Sequence, residues 1–143
     1  MKVSMMLADH AQAVGGKLFI CGGGWSVTGP GPVPFAIVID IKVPWHGINQ
    51  EHTFSLNLLD ADGNPVEVDT DQGLQPMMMN GTFRVSPNHD ARPGEPIDSH
   101  LAVNFPPQPI ADGGRYEWRL SIDNVTHEDW YLAFSTRQAA KVA

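Results

Sequence analysis

Apolar and polar residues alternate with a period of two along most of this chain, the spacing that turns one side of a strand toward a core. From Phe35 to Val43 the odd positions Ile37, Ile39, Ile41 and Val43 are all β-branched, while the even positions run from Ala36 and Val38 to Asp40 and Lys42. This predicts a strand with one buried face. The same alternation sets Val3, Met5 and Leu7 on one face of an opening strand, and Phe54, Leu56 and Leu58 on one face of another. It recurs at Phe83 and Val85, at Leu101, Val103 and Phe105, and most regularly at Tyr116, Trp118, Leu120 and Ile122.

Turn-forming residues separate these runs. Gly15-Gly16 parts the first strand from Lys17 to Cys21, Asp60 to Pro65 is expected to close a hairpin onto Val66 to Asp69, and Gly113-Gly114 precedes the Tyr116 strand. The Pro-rich segments Gly29 to Pro34, Pro87 to Pro96 and Pro106 to Pro109 are excluded from central strands, because proline has no N–H to give a neighbour. Near the end, Thr126 and Asp129 could open a helix, but Trp130, Leu132 and Phe134 alternate with Tyr131, Ala133 and Ser135. A last strand through Thr136 is the preferred reading. The fold predicted is an all-β antiparallel β-sandwich, immunoglobulin-like or jelly-roll-like, of about eight or nine strands. It forms one domain over residues 1–137, with residues 138–143 a frayed tail.

Composition narrows the function classes. A chain of 143 residues has room for one ordinary domain, and 42% hydrophobic residues with four Trp and six Phe are too many for a disordered chain. Sixteen acidic against nine basic side chains give a formal charge of −7, and the Lys and Arg are scattered, so nucleic acid is not an expected partner. Cys21 is the single cysteine, which rules out an internal disulfide and a multi-thiolate zinc site; beside Ile20 on a strand it is expected to be a small buried hydrophobe. The first apolar run meets Asp9 and His10 too early for an export signal, and no run approaches the roughly 18 apolar residues of a membrane helix. No membrane association is expected, and the location expected is cytoplasmic.

The polar clusters have plain structural explanations. Asp60-Ala61-Asp62-Gly63-Asn64 begins like a calcium loop, but Pro65 stands where such a loop needs its glycine and Asp71 where it needs a closing Glu, so a hairpin turn is expected. His10, His46, His52, His89, His100 and His127 make no His-x-His or His-x-x-x-His pair and read as surface residues. No Ser lies in a Gly-x-Ser-x-Gly elbow, and Gly22-Gly23-Gly24 lacks the Lys and helix of a phosphate loop, which leaves a bulge or a close backbone approach. No catalytic residue, metal ligand or cofactor is assigned. Trp25 and Trp45, with His46 and His89, are the candidate residues for a ligand or partner, since aromatics at a sandwich rim can stack on sugars or make interfaces; packing on the core is the alternative for each Trp. Met77-Met78-Met79 reads as a loop whose adaptable apolar side chains suit an interaction surface or packing onto the core equally well.

At Leu7-Ala8-Asp9-His10-Ala11-Gln12, Gly16-Lys17-Leu18-Phe19, Gly22-Gly23-Gly24-Trp25, Val43-Pro44-Trp45 and Leu58 to Gly63, the chain resembles a family of short uncharacterised bacterial proteins. Gly114 to Asp123 is similar to a strand-turn pattern of immunoglobulin-like bacterial sandwiches. The resemblance implies the domain limits and a cytoplasmic setting, and brings no activity, cofactor or site. The functional expectation is a non-enzymatic structural or protein-interaction module, with a second copy of itself among the candidate partners. The alternative is a small-ligand or carbohydrate-binding domain built on the rim aromatics, and a metal-assisted hydrolase ranks last.

Overall fold

A computed structural model describes residues 1–139. The strands are β1 (Lys2–Val14), β2 (Lys17–Gly23), β3 (Val27–Thr28), β4 (Phe35–Val43), β5 (Glu51–Asp60), β6 (Glu67–Thr70), β7 (Gly73–Pro76), β8 (Met78–Arg84), β9 (Ile97–Phe105), β10 (Arg115–Ile122) and β11 (Val125–Thr136). Two sheets face one another: one runs β2-β1-β4-β9, the other β3-β11-β10-β5-β8. Every pairing in them is antiparallel except β3 on β11. The antiparallel sandwich expected from the alternation is therefore present. Its two sheets hold nine strands among the described residues, within the expected eight or nine, and β6, expected at Val66 to Asp69, pairs with β7 in a separate two-stranded flap; β3, two residues long, and β7, four, are too short to carry a periodic signal.

The core lies between the sheets. Leu7, Ile37, Ile39, Ile41 and Val43 come from one, and Phe54, Leu56, Leu58, Trp118 and Leu120 from the other. Full burial of each such side chain contributes about 1.5–3 kcal/mol. An aromatic group fills one end: Phe35 stacks on Phe105 at 4.9 Å, and Phe105 lies 5.2 Å from Trp118. The strand from Val125 to Thr136 settles the choice at the C-terminal end in favour of a strand. Of the tail expected at 138–143, residues 140–143 lie outside the described residues.

Two turns show why the hairpins close where they do. Gly15 and Gly16 (φ 59° and 75°) join β1 to β2, and Asp123 and Asn124 (φ 51° and 62°) join β10 to β11. Two residues of positive φ match the twist of paired strands, and Asp and Asn adopt that conformation more readily than other non-glycine residues. At the end of β5, Asp60 Oδ1 accepts hydrogen bonds from the N–H groups of Asp62 (2.9 Å) and Asn64 (3.0 Å). That carboxylate is engaged in its own turn, which then leads into the β6–β7 flap and returns through Met77 to β8.

Strand β4 departs from the one-faced strand of the sequence reading. Ala36 and Val38 are as buried as the core-facing isoleucines, in a second small cluster with Ala8 and Ala11. Past Ala8, β1 leaves β4 and its hairpin with β2 reaches toward β9. There the Asn104 side chain donates to Ala11 O (2.8 Å) and accepts from Ala11 N (3.2 Å), pairing with that backbone as a strand would. Leu18 and Ala102 complete the cover.

Candidate functional site

The sequence candidates do not share one place. Trp25 precedes β3 and packs edge-on against Phe35 (6.4 Å) and Phe134 (6.3 Å), as an extension of the core aromatics. Trp45 and His46 form a single 3-10 turn, Trp45–Gly47, just past the far end of β4. The nine residues of β4 put roughly 26 Å between the two indoles' ends of the sandwich. His89 is exposed beside Asp90 in the loop between β8 and β9, which leaves and returns at the Trp45 end, since Val85 bonds Asn49 and Ile97 pairs with Val43. A rim site uniting Trp25 with Trp45 is thus not formed.

Strand β2 presents the most distinctive surface. It borders its sheet with β1 as sole neighbour and has no proline and one charge, Lys17, at its start. Phe19 is 56% exposed and Ile20 38%, with Val14 at 57% beyond the turn and Met6 at 37% alongside. The triple glycine contributes here. A Cβ on Gly23 would stand 2.8 Å from Ile20 and 2.9 Å from Met6, so the bare backbone lets those two side chains close into one apolar surface. A Cβ on Gly22 would collide with the Asp9 carboxylate, which lies against the strand's end. Close approach, one of the two structural explanations for the glycine run, is what the fold uses it for. Cys21 is exposed rather than buried, a correction that follows from β2 lying at the border, where only one side is covered.

Of the other borders of the two main sheets, β9 is shielded. Strand β9 is bracketed by Pro96 and Pro106 and carries Asp98, 2.8 Å from Lys42, and His100, 3.1 Å from Asp40. Strand β8, seven residues without proline and with its one charge at Arg84, is as open as β2 but presents the polar Asn80 and Thr82 beside an exposed Met78, and β3 pairs only with Ser135 and Thr136 of β11, whose remaining length carries His127, Glu128 and Asp129. Prolines, charges and shortness are the means by which sheet borders avoid pairing with other chains. Strand β2 has none of them along its middle.

A second feature escaped the sequence reading. His52 is 5% exposed, buried rather than at the surface, with Nδ1 2.7 Å from Asp123 Oδ2 and Nε2 2.6 Å from Gly47 O. Burial works against charge on both partners; their hydrogen bonds and mutual attraction outweigh it, so His52 titrates above its ordinary value and Asp123 below. The signal was there, since His52 is in phase with Phe54, Leu56 and Leu58. Met77, read as loop, is buried between flap and β5, and Met78-Met79 open β8. Among the described residues no group of three or more His, Cys, Asp or Glu is placed to hold a metal ion. No helix among them is long and apolar enough to cross a membrane.

A family model described as a family of unknown function, DUF6941, matches residues 3–134. The chain belongs to this family. No curated protein and no solved structure matches it. The matched stretch of this DUF6941 member runs from β1 into β11 and takes in both the β2 border and the His52–Asp123 pair.

Proposed function

We propose that this protein is a cytoplasmic, non-enzymatic interaction module that associates with a second copy of itself through strand β2. The observation that carries the reading is the β2 border, free of proline and of charge along its middle, with its exposed Phe19 and Ile20, where the comparably open β8 border presents the polar Asn80 and Thr82. A two-fold axis sets two copies of one strand antiparallel, which is the pairing every other long strand here already uses. With the axis at Ile20, Lys17 of one copy meets Gly23 of the other, beside the Asp9 carboxylate. Lys17 at one end of β2 thus faces the Asp9 carboxylate that β1 lays against the other end, in spite of the net charge of −7. An exposed, unpaired thiol at Cys21 accords with a reducing compartment.

The test is light scattering coupled to size-exclusion chromatography over a dilution series, for the parent chain and for Ile20→Lys. The parent is expected to dimerise with rising concentration. The variant is expected to stay monomeric, because two like charges would face each other across the axis. A parent monomeric at every concentration, or a dimer indifferent to Ile20→Lys, overturns the assignment.

A further inference from the structure

The imidazole of His52 is enclosed by partners that only accept. The carbonyl of Gly47 has no hydrogen to give, and neither does an ionised Asp123 carboxylate, which is occupied on its other oxygen by Thr53 N–H at 3.0 Å. At 2.6 and 2.7 Å both contacts are hydrogen bonds, so both ring nitrogens must donate. Only the imidazolium has two N–H groups. The ring also stacks on Phe83 at 5.2 Å and touches no third polar group that could substitute. Among the described residues, Asp123 is the charged side chain that acts on it.

The two acceptors belong to different turns, which the His52 ring bridges directly. Gly47 ends the turn that presents Trp45 and His46, and Asp123 begins the turn between β10 and β11. We propose that His52 is a proton-operated clasp, holding the Trp45–Gly47 turn to the β10–β11 turn while its ring is charged and releasing it when a proton leaves. Loss of the proton from Nε2 sets a lone pair against the Gly47 carbonyl. Loss from Nδ1 sets one against the Asp123 carboxylate. Either way one of the two bonds becomes a repulsion, and the Trp45–Gly47 turn, with His46 exposed and Gly47 buried, is the side that moves, held otherwise by Gly47 N–H to Pro44 O (2.8 Å), the Gln50 side chain to His46 O (2.9 Å), and, just beyond it, Asn49 N–H to Val85 O (2.8 Å) and Arg84 to Asn49 O (2.8 Å). The elevated titration of His52 places release on the alkaline side of an ordinary histidine. What opens is the end of the sandwich shared by Trp45, His46 and the His89 loop. This is separate from the β2 border and does not depend on it.

The test is a nuclear magnetic resonance titration of the His52 ring together with amide protection of Ile48 and Asn49, in the parent chain and in Asp123→Asn. In the parent, both ring nitrogens are expected to stay protonated through neutral pH, and protection of Ile48 and Asn49, corrected for intrinsic exchange, to fall at least fivefold as the ring deprotonates. An Asn at position 123 tolerates the left-handed backbone there, keeps an acceptor for Thr53 N–H and can donate to a neutral Nδ1. The variant is therefore expected to titrate lower and to keep its protection across the same range. A parent ring that is neutral at neutral pH overturns the clasp, as does loss of protection in Asp123→Asn at the parent's pH. The parent titration decides alone if the variant does not fold.

Discussion

Replacing Asn104 tests whether one side chain holds the β1–β2 hairpin against β9. Its amide occupies both backbone groups of Ala11, a residue with no exposed surface. Asn104→Leu keeps the branching and heavy-atom count of the side chain but leaves the Ala11 N–H and C=O without partners, at about 1–3 kcal/mol for each buried group left unsatisfied. The apolar substitute recovers part of this against Leu18 and Ala102, and the expected net loss is about 2–4 kcal/mol. Asn104→Asp keeps the acceptor for Ala11 N–H and sets a carboxylate against Ala11 O, so its loss is expected to be of the same order. Urea unfolding followed by far-ultraviolet circular dichroism measures the loss, and amide exchange at Ala11 locates it. A stability change below about 0.5 kcal/mol in both variants would show that water serves the Ala11 backbone equally well, and would refute the reasoning.

Other expectations are open to equally direct checks. Gly81→Val should destabilise the fold by about 1–3 kcal/mol, because a Cβ there would lie 2.6 Å from the Phe54 ring across the strand pair; unchanged denaturant midpoints would contradict this. Folding stability should be greatest between the two titrations of the His52–Asp123 pair. It declines as pH rises through the raised His52 value, where the native proton is lost, and as pH falls through the lowered Asp123 value, where the carboxylate is neutralised; a stability profile flat on the alkaline side would count against the pair. In the native protein Cys21 should react fully with a soluble disulfide reagent at low protein concentration and more slowly at high concentration, where β2 is paired; a thiol that reacts only after unfolding would contradict its exposure.

The sheets were legible in the sequence because burial on one face imprints alternation over many residues. Tyr116 to Ile122 and Phe54 to Leu58 show it clearly, and both lie in the centre of a sheet. Strands of two or four residues leave no period, which is why β3 and β7 escaped notice, while β6 was marked only by the turn before it. The double burial of Ala36 and Val38 depends on a hairpin contributed from elsewhere in the chain, and no local pattern records that. The same holds for Cys21: its strand was recognisable, but its place at the border depends on which strand lies on the other side. His52 is a different case. Its spacing from Phe54 marked an inward side chain, and Asp123-Asn124 between two alternating runs marked a tight turn, so only their meeting in space required the fold.

Strands β5 and β8 are direct neighbours, with Asn57 opposite Met78, yet the chain between them makes an excursion out to the β6–β7 flap and back. Its outer part, from Asp69 to Leu74, is exposed on all sides. A two-residue turn would suffice to join the same pair. The flap is therefore the point at which this architecture can accept insertions: a reporter peptide, an epitope or a whole folded passenger grafted between Asp71 and Gly73 would emerge from the protein without disturbing the register of either sheet.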